Sequence, residues 1–127
     1  MIRAIHHVQL TIPPGAEPEA RKFYCELLGL QEIAKPASLA QRGGLWLHVG
    51  GQQVHIGVED GVTRLATKAH IAYEVNKLEE WRAKLVAAGT QLLDGVPIPG
   101  YNRFEFRDPF GNRVEFIEPE PRGTRQP

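Results

Sequence analysis

Hydrophobic positions along this 127-residue chain recur with two periods, and the order in which the periods alternate is stated twice. Between about Ile5 and Ile12, Val8, Leu10 and Ile12 share one parity while His7, Gln9 and Thr11 take the other, which predicts a one-sided strand. Pro13-Pro14-Gly15 breaks it. From Pro18 to Leu28 the period lengthens. Ala20, Phe23, Tyr24 and Leu27 form a helical stripe that Gly29 stops. A short strand follows at Leu30 to Ala34, then a loop with Pro36. Leu45 to Val49 and Gln53 to Val58 alternate again around Gly50-Gly51, a hairpin.

After a linker, Glu59 to Thr67, the order recurs. A strand is expected at Ala69 to Val75 and a helix at Leu78 to Ala88, with Leu78, Trp81, Leu85 and Ala88 on one side and Gly89 at its end. A short strand at Gln91 to Leu93, a Pro-containing loop from Asp94 to Gly100, and strands Tyr101 to Arg107 and Asn112 to Ile117 complete the second half. Asp108-Pro109-Phe110-Gly111 supplies the last turn. Each half reads β-α-β-β-β, so the class is α+β. One domain is expected over 1–127, with module one at 1–60, module two at 67–118 and a polar, frayed tail at 119–127.

The repeat gives the polar parity its meaning. His70 stands in the second half where His7 stands in the first, and Gln53-Val54-His55-Ile56 matches Arg113-Val114-Glu115-Phe116. His7 precedes His55 by 48 positions (7 to 55), and His70 precedes Glu115 by 45 (70 to 115). The apolar parity is expected to pack under the helices. The opposite face collects His7, Gln9, Trp46, His48, Gln53, His55, His70, Tyr101, Arg103, Glu105 and Glu115. Enclosed polar groups are costly unless they meet water, a ligand or a metal. His7, His55, His70 and Glu115 are therefore the candidate metal ligands, a set suited to Zn, Ni, Co, Mn or Fe(II). Four protein ligands leave open positions for Lewis-acid chemistry on substrate oxygens.

The other residues sort less sharply. His6 has the opposite parity from His7 and reads as structural. His48 and the aromatic Trp46 and Tyr101 are candidate substrate contacts. Arg103 either forks onto a substrate carboxylate or phosphate or pairs with Glu105. Cys25, the single cysteine, cannot close an internal disulfide and reads as a buried, inert thiol beside Tyr24 on the apolar stripe. Equal counts of 15 basic and 15 acidic residues, with no run of five or more like charges, predict neither a nucleic-acid nor an anionic-membrane surface. No apolar run is long enough to span a bilayer and no signal peptide opens the chain, which points to the cytoplasm.

The opening strand Ile5-His6-His7-Val8-Gln9-Leu10, the helical Ala20-Arg21-Lys22-Phe23-Tyr24 with Leu28-Gly29-Leu30, and the closing Arg107-Asp108-Pro109-Phe110-Gly111-Asn112-Arg113-Val114-Glu115-Phe116 together resemble the vicinal oxygen chelate superfamily. That group includes glyoxalase I, bleomycin-resistance proteins, fosfomycin-resistance thiol transferases, methylmalonyl-CoA epimerase and extradiol dioxygenases. The resemblance implies two tandem βαβββ modules forming a curled mixed sheet, as half-barrels with helices outside. It also implies a homodimer, a small-molecule substrate and a divalent metal ion. His7, His70 and Glu115 match three ligand positions of the metal-dependent members. His55 takes the fourth, where glyoxalase I has glutamate, and this argues against glyoxalase I activity. A metal-dependent lyase or isomerase that chelates adjacent substrate oxygens is the leading expectation, with Glu115 as ligand and proton carrier. An extradiol-type dioxygenase and a metal-free drug- or metabolite-binding protein of the bleomycin-resistance type are the alternatives.

Overall fold

In the computed structural model, which describes residues 1–121, the alternating segments become seven strands, and the chain divides into two units between Thr63 and Arg64. The first unit holds β1 (His7–Ile12), a helical segment opening as α1 (Glu17–Ala20), β2 (Gln31–Ile33), β3 (Leu45–Val49) and β4 (Gln52–Val58). Its sheet runs β1-β4-β3-β2, with β1 parallel to β4 and both other pairs antiparallel. The apolar parity is buried at the centre of the β3–β4 pair, where Leu45 lies opposite Ile56 and Leu47 opposite Val54, all within 3% of full burial, while Val8 and Leu10 on β1 are half-buried. Full burial of one such side chain contributes about 1.5–3 kcal/mol.

The first helix departs from simple α periodicity. After Ala20 the chain continues as a π-helix, Arg21–Leu27, and the Leu28 amide donates to the Phe23 carbonyl at 3.0 Å. Wider turns move the buried stripe by one residue. Ala20, Phe23, Tyr24 and Leu28 are buried, whereas Leu27, expected in the stripe, is half-exposed. Cys25 is half-buried, and burial raises its thiol pKa. The Pro36 loop contains a 3-10 turn, Ala37–Arg42.

The second unit contains β5 (His70–Glu74), α2 (Leu78–Ala87), β6 (Tyr101–Arg107) and β7 (Arg113–Pro119), with sheet order β5-β7-β6. Helix α2 begins where Glu118, on β7, accepts from the Lys77 and Leu78 amides at 2.7 and 3.2 Å, a cap supplied from the sheet. Trp81 of this helix meets Phe116 edge-on at 5.2 Å, and Phe104, Phe106 and Tyr73 complete an aromatic core.

The β6–β7 turn is closed by one side chain. Asp108 accepts from the Phe110 and Asn112 amides at 2.9 and 2.8 Å and from Asn112 Nδ2 at 2.9 Å. That closure fixes the register of the hairpin and sets Glu105 opposite Glu115.

The pairing registers express the duplication directly. β1 meets β4 with His7 opposite Gln53, and β5 meets β7 with His70 opposite Arg113. Both ladders are parallel and start on the matched histidine.

The half-barrel expectation needs correction. Two βαβββ-like modules are present, but their sheets are open and neither is curled into a half-barrel. One ends on β1 and β2, the other on β5 and β6, and no ladder joins the edges of either. The strand expected at Gln91 to Leu93 does not form. Leu93 makes a single antiparallel bridge to Glu105, through two 2.8 Å backbone bonds. Beyond it the Val96 carbonyl accepts from the Arg103 side chain instead of a strand amide, and Pro97 and Pro99 have no amide to donate. The expected polar tail also begins later. Pro119 still belongs to β7, Glu120 donates its amide to the Gly100 carbonyl at 2.9 Å, and residues 122–127 lie outside the described residues. Among the described residues no helix is long and apolar enough to cross a membrane.

Candidate metal and substrate site

Strand register builds a stack of rings in the first unit. The β1–β4 ladder brings His7 beside His55, and the β3–β4 ladder sets Trp46 directly opposite His55. The His55 imidazole stacks 3.8 Å from the Trp46 ring, nearly parallel to it at 3°, and 4.0 Å from the His7 ring. Its Nε2 lies 2.8 Å from the Gln53 carboxamide oxygen. Burial, then the neighbouring His7 and His6, lowers the His55 pKa, so the ring stays neutral and keeps a lone pair for coordination. His7 is exposed, and its Nδ1 lies 2.9 Å from that of His6, so His6 orients the ring beside it. A cavity of about 410 Å³ opens here, lined by His7, Gln9, Trp46 and His55 from the strands and by Lys35 and Arg42 from the intervening loop.

The second unit gathers charge. His70 Nε2 lies 3.0 Å from Glu115 Oε1, while its Nδ1 lies 2.9 Å from the Lys68 carbonyl. Arg103 donates to Glu115 Oε2 at 2.9 Å, to Glu105 Oε2 at 3.2 Å and to the Val96 carbonyl at 2.8 Å. Arg113 grips both oxygens of Glu105. The Arg103 hydrogen bond is the main reason that the Glu115 pKa falls below the usual carboxylate range, against the opposing effect of burial.

Gly95 makes room for this guanidinium. A Cβ there would lie 2.0 Å from Arg103 Nη1 and 2.7 Å from its Cζ. Gly95→Ala is expected to swing the flexible Arg103 tip aside while leaving the fold intact, at about 1–3 kcal/mol for the lost charged hydrogen bonds. The Glu115 carboxyl titration, followed by NMR, should then move up toward the ordinary range. An unmoved titration would contradict Arg103 as its cause.

The sequence-derived candidates thus fall into two groups. His7, His55 and Trp46 stack together in the first unit; His70, Glu115 and Arg103 bond together in the second. Arg103 is engaged internally with Glu105, one of its two expected roles, and with Glu115. His48 is exposed on β3, and Tyr101 is 41% exposed at the start of β6. By register, the counterpart of His48 is Arg107, and that of Trp46 is Glu105. Glu105, on the polar face by parity, is not among the ligands that the matched repeat positions pick out, since its counterpart Trp46 is no ligand. Pairing inward from the Asp108-Gly111 turn places it opposite Glu115, and that was the available signal. Arg113, its bidentate partner, occupies the repeat position of Gln53 and was also missed.

The second cluster fits a divalent ion. One donor atom each from His70, Glu105 and Glu115 lies within 4.8 Å of the others, and an imidazole with two carboxylates suits a first-row divalent metal. Arg103 and Arg113 already balance the two carboxylates, so a bound ion must share those oxygens with guanidinium donors.

Comparisons agree with this architecture. The chain is similar to a glyoxalase family protein from Bacillus anthracis, at 44% identity, with 94% of this chain and 98% of that one covered and a TM-score of 0.88. A glyoxalase/dioxygenase from Nostoc punctiforme shares the fold at 18% identity, with 94% and 92% covered and a TM-score of 0.78. So does a genomically encoded fosfomycin resistance protein from Listeria monocytogenes, at 19% identity, 91% of both chains and a TM-score of 0.73. No curated protein matches. The family model of the Glyoxalase/Bleomycin resistance protein/Dioxygenase superfamily matches residues 4–116, from before the His7 strand to just beyond Glu115. With the repeated ladders and their paired donors spanned by that match, the chain belongs to this superfamily.

Proposed function

We propose that this protein is a metal-dependent enzyme that binds a small molecule through two adjacent oxygens and acts on it as a lyase or isomerase. The observation that carries the reading is the cluster of His70, Glu105 and Glu115 donor atoms within 4.8 Å, in a chain of this superfamily. The proposed ligand set is His7, His55, His70 and Glu115, supplied by one chain or by two protomers of a homodimer, with Glu105 as a further donor. A divalent ion held by these groups supplies Lewis acidity toward substrate oxygens.

The chain's own residues set the remaining terms. Arg103 keeps Glu115 ionised and oriented, which favours ligation. The same bond makes Glu115 a weak base, so as the proposed proton carrier it suits a C–H already acidified by a neighbouring carbonyl. Trp46, His48 and Tyr101 are the proposed substrate contacts, and Arg103 is assigned to positioning Glu115.

Metal content of untagged protein tests the proposal. Plasma mass spectrometry should find a divalent metal in stoichiometric amount, and His70→Ala or His7→Ala should weaken its retention at least about 10- to 100-fold, judged by the effect of losing even an outer partner. Protein that takes up none of zinc, nickel, cobalt, manganese or iron(II) on dialysis would reduce the site to a ligand-binding cup.

A further inference from the structure

Resting on the catalytic reading above, we propose that the cavity of the first unit selects a small organic anion, a carboxylate or phosphonate, with its charged end held by Arg42 and Lys35 and its planar part against Trp46. The cavity measures about 410 Å³, a size suited to a small molecule, and its lining includes no carboxylate. Two cations contribute to it. The Arg42 guanidinium has no hydrogen-bond or ion-pair partner among the described residues, although guanidinium is the side chain best shaped for bidentate grip on a carboxylate or phosphonate. Lys35 donates one hydrogen bond to the Gly43 carbonyl and keeps two N–H groups.

The carboxylate beside the lining residue Gly43 is already committed. Glu17 accepts from the Gly44 amide at 3.0 Å, and that bond, more than the charge of Lys35, lowers its pKa. It tempers the positive field without occupying either cation. The rest of the lining supplies shape. Trp46 is braced on one face by His55, so its indole is a rigid aromatic wall, and Leu39 adds an apolar contact from the same loop as the cations. Gln9 lies over Gly57, where a Cβ would approach its Nε2 to 2.9 Å, and its carboxamide has no partner among the described residues. It offers a neutral hydrogen bond beside the histidines. The loop from Lys35 to Gly43, which carries no ligand of the proposed metal site, thereby acquires a role in substrate choice.

Tryptophan fluorescence tests this in a Trp81→Phe background, where Trp46 is the remaining indole. Phenylphosphonate and benzoate are titrated against the neutral probe benzyl alcohol, all with metal-stripped protein. Both anions should quench Trp46 saturably and bind more tightly than benzyl alcohol. Arg42→Gln should weaken them about tenfold or more, as for loss of a charged hydrogen bond, and leave the neutral probe unchanged. Arg42 is exposed, so the variant keeps the fold; Lys35→Gln provides a second, independent removal of charge. Equal affinity for anionic and neutral probes, no saturable quenching by either anion, or anion binding indifferent to both substitutions would overturn the proposal. Metal content plays no part in these titrations, so failure of the metal reading would leave their outcome legible.

Discussion

Glu115→Ala is expected to lose affinity for the proposed metal and to destabilise the second unit by about 3 kcal/mol, the usual scale for removing one partner of a buried ion pair. Glu115 is 5% exposed and is the acceptor for two donor atoms of Arg103, whose side chain is itself only 11% exposed. Without it, Arg103 retains Glu105 and the Val96 carbonyl, and His70 loses its 3.0 Å partner. Thermal unfolding should fall by roughly 10 °C. Glu115→Gln, close in shape, separates charge from packing. Because the folded-state pKa of Glu115 is lowered, its contribution is fully present above the ordinary carboxylate pKa and is lost as pH falls through the lowered value. Wild type and Glu115→Gln should therefore differ at neutral pH and converge in acid. Equal stability and equal metal retention in wild type and Glu115→Ala at neutral pH would remove Glu115 from the site.

Gly44→Ala is expected to disrupt the other unit by a comparable amount, about 3 kcal/mol, through backbone alone. Gly44 has φ +76°, and a Cβ there would lie 2.0 Å from the Ile56 carbonyl oxygen and 3.3 Å from Gly57 Cα. A left-handed alanine costs about 1–2 kcal/mol, and forcing apart a packed strand pair adds about 1–3. The obstruction is strand β4, not a mobile side chain, so the ladder that sets Trp46 opposite His55 must shift. Loss of the ring stack should appear in near-ultraviolet circular dichroism. Gly51→Ala is the control: its Cβ would meet nothing within 4 Å, and it should change little. A Gly44→Ala protein with unaltered stability and spectrum would refute the close approach.

Legibility followed the range of the forces involved. Alternation marked the strands because each side chain answers to its own parity, and the buried Leu45, Leu47, Val54, Ile56, Phe104, Phe106, Val114 and Phe116 lie where alternation puts them. The first helix was harder. A π-helical turn exchanges Leu27 for Leu28 in the buried stripe, and residue types alone do not distinguish the two spacings. The segment after Gly89 misled for a different reason. Gln91 to Leu93 has a strand-like composition, but only Leu93 pairs, with Glu105, and past it an arginine side chain takes the Val96 carbonyl where a ladder would continue.

The amino-acid sequence by itself determined the repeated order of strand, helix and closing hairpin, the apolar face of the strands and the matched places of His7 and His70, because periodicity and repetition are properties of neighbouring residues. Only the tertiary structure decided that the sheets stay open, that Glu105 joins His70 and Glu115, and that Arg103 is tied to both carboxylates. Those outcomes depend on strand register and on which charged groups meet across it. Charge pairing between strands is settled by distance in space, and the order of residues along the chain does not encode that distance locally.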